Sequence, residues 1–153
     1  MNNIVVECQM LIRRPAAAVF NAMIDPAITT NFWFTKSTGK LREGETVTWQ
    51  WEMYGASADV AVKKIVENKL ISFDWGEPKE SVDFSFTSSA DGNSTYVVIK
   101  NYGFAQTGDA LISKIIDTTG GFTTVLDGMK AWLEHELSPN LISDKFPKEF
   151  INH

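Results

Sequence analysis

The stretch that decides the fold is GFTTVLDGMKAWLEHEL, residues 121–137. Its apolar residues lie three, four, seven, ten, eleven and fifteen positions after Phe122. This spacing predicts an amphipathic helix of about 17 residues, roughly 25 Å long, that ends at Ser138-Pro139. No other predicted element is long enough to cover a large sheet, so the rest of the chain must be arranged around this helix.

The segments on either side of the long helix carry weaker patterns. Residues 109–117 have helical spacing, and the pair Gly120-Gly121 predicts a break before the long helix because glycine weakens a helix interior. Residues 139–153 show no clear period, so we expect an irregular tail.

Upstream, residues 36–104 switch to a period of two, which is typical of strands with one buried face. Short loops join consecutive strands and predict an antiparallel meander. Ile65 is out of phase with the preceding valines, which indicates a β-bulge near Lys63-Lys64. The segment GEPKE, residues 76–80, is expected to be a loop. The inward-facing residues include Val47, Trp49, Trp51 and Met53, then Ile71, Phe73 and Trp75, then Val82, Phe84 and Phe86.

The N-terminal part predicts one strand followed by two short helices. Residues 4–13 alternate as a strand, and Pro15 suits the first turn of the helix that follows. Asp25 and Pro26 predict the start of a second helix, because the carboxylate accepts hydrogen bonds from free backbone N–H groups.

This order of elements predicts an α+β fold. A large antiparallel sheet with one apolar face must bury that face, and the long final helix is the available cover. We therefore expect a single domain over residues 1–153. In it, a curved antiparallel sheet of about six to seven strands wraps around the final helix, and two short helices follow the first strand.

Composition and charge limit the classes of partner. The net charge of −5 and the lack of dense Lys and Arg clusters argue against nucleic acid and anionic membranes. Cys8 is the single cysteine, so no intrachain disulfide can form. No signal-peptide pattern begins the chain, and no apolar run approaches the roughly 20 residues that span a bilayer. We expect a soluble cytoplasmic protein without stable membrane insertion, and the sequence leaves its oligomeric state open.

Five segments together resemble the START-like helix-grip superfamily, also called SRPBCC or Bet v 1-like. They are RRPAAAVFNAMIDPA, LREGETVTW, NKLISFDW, STYVVIKNYGF and TGGFTTVLDGMKAWLEHE. Within this superfamily, residues 4–137 resemble the family related to the activator of the heat-shock protein 90 ATPase. Two positions depart from its pattern: Phe122 stands where relatives often have Trp, and Asn101 stands where they often have His.

The resemblance implies a cavity between the sheet and the long helix, which in many relatives holds apolar or amphipathic small molecules. The aromatic and methionine side chains on the inward faces suit such a cavity. Dense core packing is the alternative for each of these side chains. The residues that we expect to line the cavity are Trp33, Trp49, Trp51, Met53, Phe73, Trp75, Phe84, Phe86, Asn101, Phe122, Leu126 and Met129.

Few residues suggest catalysis. His135 lies on the solvated side of the long helix, and His153 ends the chain. Because neither histidine belongs to a zinc-binding pattern or a nucleophile–histidine pair, we predict no catalytic residue, no metal and no cofactor. Glu52, Asp74 and Asp83 are expected to face outward, whereas an inward carboxylate would be a candidate general acid or base. Polar residues that could reach the cavity rim are Asn101, Tyr102, Thr35, Gln106 and Asp109.

The expected function is the binding of a small hydrophobic or amphipathic molecule in this cavity. Two alternatives stay open. The family name suggests a co-chaperone-like module with a heat-shock chaperone as partner, and some helix-grip relatives are cyclase- or hydrolase-like enzymes that act on hydrophobic substrates. A carboxylate inside the cavity would favour an enzyme, and stimulation of a chaperone ATPase would favour the interaction module.

Overall fold

Seven strands form one antiparallel sheet in the computed structural model, which describes residues 3–151. They are β1 (Val5–Ile12), β2 (Lys36–Ser37), β3 (Thr46–Trp51), β4 (Ala56–Val66), β5 (Leu70–Trp75), β6 (Glu80–Ser88) and β7 (Thr95–Tyr102). Their order across the sheet is β1-β7-β6-β5-β4-β3-β2, so the strands from β2 to β7 form the predicted meander and β1 joins its far edge.

Four helices and one 3-10 turn accompany the sheet in this part of the chain. They are α1 (Ala16–Ile24), α2 (Pro26–Thr29), the turn Glu52–Tyr54, α3 (Gly108–His135) and α4 (Leu141–Lys145). Asp25 caps α2 as predicted, because its carboxylate accepts a hydrogen bond from the N–H of Ala27 at 3.0 Å. Within residues 3–151, none of the helices combines the length and apolar character that a membrane span requires.

The apolar face of the sheet is buried against α3, which confirms the predicted helix-grip arrangement. Side chains alternate along each strand, so one face of the sheet packs and the other meets solvent. The predicted bulge is also present, because the register between β4 and β5 shifts between Val62 and Lys64. On the helix, the buried apolar side chains are Phe122, Val125, Leu126 and Met129.

The predicted helix break at Gly120-Gly121 is wrong, since α3 continues through both glycines for 28 residues. An interior glycine costs about 1 kcal/mol relative to alanine. Tertiary contacts outweigh this cost, because α3 packs on the sheet and the Lys130 ammonium donates a hydrogen bond to the carbonyl oxygen of Leu11 at 2.8 Å.

The predicted alternation through Met53 is also wrong. β3 ends at Trp51, and Met53 lies in the 3-10 turn that follows. Gly55 then adopts a left-handed conformation, with φ of 59°, which reverses the chain into β4. Met53 therefore does not continue the inward face that Trp49 begins.

The C-terminal tail that we expected to be irregular contains α4. The hydroxyl of Tyr54 donates a hydrogen bond to the carbonyl oxygen of Ile142, and the N–H of Phe146 donates one to the Tyr54 oxygen at 3.3 Å. These bonds hold the C-terminal segment against the 3-10 turn.

Candidate functional site

A cavity of about 450 Å³ lies between the sheet and α3, beside Thr118, Gly121 and Phe122 of the helix. Residues from β3, β4 and β5 form the opposite wall, and Ile142 and Phe146 close part of the side. This volume falls in the range of roughly 300–1,000 Å³ that is typical of small-molecule pockets.

In the described part of the chain, six aromatic residues line the cavity, and four of them, Trp33, Trp51, Trp75 and Phe122, form a cluster of rings in contact with one another. The centroid of the Trp33 ring lies 6.2 Å from that of Trp51 and 5.9 Å from that of Trp75. Trp75 in turn stacks on Phe122, with 5.9 Å between ring centroids and 30° between ring planes. These distances are typical of favourable aromatic pairs, so the rings fix one another and present a rigid surface.

Trp49 lies behind this cluster of rings in the core. It is 1% exposed, and its ring stacks on Phe34 with centroids 4.5 Å apart. Its edge contacts Phe73 at a centroid distance of 5.4 Å. The two tryptophans of β3 therefore have different surroundings: Trp49 fills the interior, whereas Trp51 lines the cavity.

A partly buried ion pair forms one polar part of the cavity wall. The ammonium of Lys114 on α3 lies 3.0 Å from a carboxylate oxygen of Glu80, whose side chain is 5% exposed. The prediction that residues 76–80 form a loop is wrong at Glu80, because β6 begins there. Glu80 is in phase with Val82 and Phe84, so its side chain faces inward.

Asn101 adds a second polar group to the wall. It lies on β7 opposite Val82 of β6 and is 1% exposed. Its side-chain nitrogen donates a hydrogen bond to the carbonyl oxygen of Ser81 at 2.9 Å. Among residues 3–151, no hydrogen-bond donor meets the side-chain oxygen Oδ1 of Asn101.

The twelve side chains that the sequence proposed for the cavity lie in three places. Those that line the cavity are Trp33, Trp51, Trp75, Asn101 and Phe122. Met53 instead lines a smaller cavity of about 140 Å³ beneath residues 138–143. Those that pack in the core are Trp49, Phe73, Phe84, Phe86, Leu126 and Met129.

The sequence did not single out Glu80, Lys114 or Tyr54. A signal existed for Glu80, since extending the alternation of β6 back by two residues places it on the inward face. No local pattern marks Lys114, because a lysine beside an apolar helical stripe ordinarily extends into solvent. Among the proposed rim residues, Gln106 lines the cavity and Thr35 lines the smaller cavity.

The outer face of the sheet carries a separate polar network, in which Asp74 and Asp83 face outward as predicted. The ammonium of Lys63 lies 2.9 Å from Asp74 Oδ1, and the Ser81 hydroxyl donates to the same oxygen at 2.6 Å. Partial burial alone raises the pKa of Asp74, but the hydrogen bonds from Ser81 and Lys63 outweigh it and lower the pKa below its usual value. Burial and a hydrogen bond to Asp83 at 3.0 Å raise the pKa of Tyr102.

Residues 13–134 match the family model described as Activator of Hsp90 ATPase homolog 1-like protein. The chain belongs to this family. The match runs from the residue after β1 to the last turn of α3, which includes the cavity-lining parts of the sheet and of α3, and it confirms the START-like resemblance of the sequence. The comparison with curated proteins gives no match.

Solved structures with the same fold accompany this family assignment. A crystal structure of a Staphylococcus saprophyticus protein is 26% identical, with a TM-score of 0.77 over 88% of this chain and 95% of that chain. The Aha1 dimer from Colwellia psychrerythraea is 17% identical, with a TM-score of 0.74 over 86% and 97% of the two chains. CalU16 from Micromonospora echinospora is 18% identical, with a TM-score of 0.67 over 92% and 82%. The last two likenesses concern the fold alone.

Proposed function

We propose that this protein binds a small, largely apolar molecule in the cavity between the sheet and α3. The observation that carries the proposal is a cavity of about 450 Å³ that has an aromatic wall and a few inward polar groups. Membership of a helix-grip family supports it, because that fold places a sheet around a helix and leaves room between them.

The chemistry of the wall favours a flat, ring-containing ligand. Trp51 and Trp75 are half-buried and line the cavity, so a ligand that covers them removes apolar surface from water. Each Å² of apolar surface removed from water contributes about 25 cal/mol. Since the rings already hold one another in place, little side-chain entropy is lost when the ligand binds.

A dye titration tests the proposal. N-phenyl-1-naphthylamine is neutral, apolar and fluorescent only when shielded from water, and we expect saturable binding at one site per chain. Gly121→Phe should weaken that binding at least about tenfold by filling the cavity. Gly121 lines the cavity, and a Cβ at this position meets no atom within 4 Å, so the variant should fold.

The matched control places the same ring on the solvent side of the same helix. Thr119 is exposed, and Thr119→Phe should bind the dye as the wild type does. Gly121→Phe should have a urea midpoint of unfolding at least equal to that of the wild type. The midpoint of Thr119→Phe should be close to that of the wild type. Equal dye binding by all three proteins, or no binding by the wild type, would contradict the proposal.

A second candidate function is catalysis on a hydrophobic substrate, and Glu80 is the observation that favours it. A carboxylate in the wall of an apolar cavity is suitably placed to act as a general acid or base. Hydrolysis of an apolar ester such as p-nitrophenyl butyrate, lost in Glu80→Gln while dye binding persists, would support this function. Activity that is absent, or unchanged in Glu80→Gln, would count against it.

The family description also suggests a chaperone ATPase as a partner. An ATPase assay with the protein in excess over the chaperone tests this suggestion separately from the cavity. Stimulation that persists in Gly121→Phe would assign the chaperone function to a surface outside the cavity, and a lack of stimulation would remove that function.

A further inference from the structure

The side-chain amide of Asn101 has a fixed orientation. A carbonyl oxygen can only accept hydrogen bonds, so the bond to Ser81 O at 2.9 Å must come from the Asn101 nitrogen. The amide is planar, and its oxygen Oδ1 is therefore directed away from Ser81. Asn101 lines the cavity, and within residues 3–151 no protein donor meets this oxygen.

An unpaired acceptor inside a cavity selects among ligands. Asn101 Oδ1 is already buried, so a ligand that places an apolar group against it leaves the acceptor without a hydrogen bond. A ligand that places a hydroxyl or N–H group there restores the bond. This difference corresponds to roughly tenfold or more in affinity.

The charges around the cavity argue against an anionic head group. The charged side chains in the wall are three carboxylates and two ammonium groups, namely Glu77, Glu80, Asp117, Lys114 and Lys145. Lys114 is already paired with Glu80 at 3.0 Å. A ligand carboxylate beside Asn101 would place its own acceptor oxygens against Oδ1, and two acceptors cannot form a hydrogen bond. It would also compete with Glu80 for the ammonium of Lys114.

We propose that Asn101 Oδ1 is the acceptor for a neutral hydrogen-bond donor, a hydroxyl or N–H group, on a flat apolar ligand whose rings contact Trp51 and Trp75. This proposal rests on the proposed function, because it names the class of ligand that the same cavity binds. The ring system sets the hydrophobic part of the affinity, and the donor sets the orientation.

Three probes with one ring system test the proposal. 2-Naphthol can donate a hydrogen bond, 2-methoxynaphthalene cannot, and 2-naphthoate is anionic at neutral pH. Isothermal titration should show that the wild type binds 2-naphthol at least about tenfold more tightly than 2-methoxynaphthalene, and 2-naphthoate most weakly. The preference for 2-naphthol should appear although the methyl group of 2-methoxynaphthalene adds apolar surface, which by itself would favour binding of 2-methoxynaphthalene.

Two isosteric variants assign the preference to one residue. Asn101→Leu removes the acceptor, and both neutral probes should then bind with affinities within about twofold of each other. Thr119→Val removes a hydroxyl from the solvent side of α3, outside the cavity, and should keep the wild-type preference. Should Asn101→Leu fail to fold, the side-chain NH₂ resonances of Asn101 in the wild type give a second test: 2-naphthol should shift them more than 2-methoxynaphthalene does.

The outcomes separate this inference from the function on which it rests. Equal affinity of the wild type for both neutral probes, or a preference that survives Asn101→Leu, overturns the assignment to Asn101 and leaves ligand binding intact. Tightest binding of 2-naphthoate overturns the choice of a neutral donor. If none of the probes binds, both the inference and the proposed function are contradicted.

Discussion

The two ends of the interface between the sheet and α3 differ in how closely their side chains meet. At the packed end, each inward side chain is at most 1% exposed; these residues are Trp49, Phe73, Phe84, Leu126 and Met129. At the open end, the same sheet and helix enclose a cavity of about 450 Å³; the residues there include Trp51, Trp75, Glu80, Asn101 and Lys114.

The difference depends on position along each strand. Trp49 and Trp51 share one face of β3, but Trp51 is the last residue of the strand and Trp49 is two residues inside it. Phe73 and Trp75 repeat this relation on β5. The inward face is therefore one continuous surface that α3 covers closely at Trp49 and Phe73 and leaves open at the strand ends, at Trp51 and Trp75. The same residue type, tryptophan, fills the core at one position and lines the cavity at the other.

The largest expected effect separates the two tryptophans of β3. Trp49→Ala should lower the free energy of unfolding by about 3–5 kcal/mol, because it empties a site in the packed core. Trp51→Ala should cost only about 1 kcal/mol, because Trp51 is half-buried beside a cavity. Urea unfolding monitored by circular dichroism gives both values. Equal losses in the two variants would contradict the distinction between the ends.

A smaller effect concerns the ion pair at the open end. Lys114→Met leaves the Glu80 carboxylate, whose side chain is 5% exposed, without its partner. It should destabilise the fold by about 1–3 kcal/mol, less than for a fully buried pair, because the Lys114 side chain is 33% exposed. The double variant Glu80→Leu/Lys114→Met should recover most of this loss, because an apolar pair has no charge to bury. The free energies of unfolding of the wild type, the single variants Glu80→Leu and Lys114→Met, and the double variant at neutral pH provide the double-mutant cycle. Losses that simply add would show that the pair is not coupled.

The smallest expected effect concerns Asp74 on the outer face of the sheet, which belongs to neither end of the interface with α3. Because the pKa of Asp74 is lower in the folded state than in the unfolded chain, its contribution is present above about pH 4 and is lost as the pH falls through the folded pKa. Asp74→Asn should therefore be less stable than the wild type at pH 7 by less than about 1 kcal/mol, and this difference should shrink towards zero as the pH is lowered below the folded pKa. A stability difference between the two proteins that grows as the pH falls would contradict the lowered pKa of Asp74. Dye binding should be the same in both proteins.

The sequence predicts which face of the sheet a side chain occupies better than it predicts whether that side chain lies in the core or beside the cavity. The alternation of Val82, Phe84 and Phe86 is enough to place them inward, because the side-chain period of a strand is two. It does not say where β6 begins, so Glu80 was placed in a loop. Along a strand, the boundary between core and cavity depends on how closely the sheet and α3 pack against each other, which no local pattern records.

The errors at Met53 and in α3 have a related origin. The apolar phase continues through Met53, but a 3-10 turn and a left-handed glycine end the strand before it. The glycine pair of α3 has low helix propensity, yet tertiary packing keeps the helix continuous. In both places a local preference was overruled by contacts between residues far apart in the sequence.

The most direct test of ligand binding at the open end uses the tryptophans as reporters. The indole N–H resonances in a ¹⁵N–¹H correlation spectrum are followed while the protein is titrated with N-phenyl-1-naphthylamine. We predict large shifts for Trp33, Trp51 and Trp75, which line the cavity, and little change for Trp132, which lies on α3 outside it. A titration in which the dye shifts none of these three resonances, or shifts Trp132 as strongly as them, would contradict binding in the cavity.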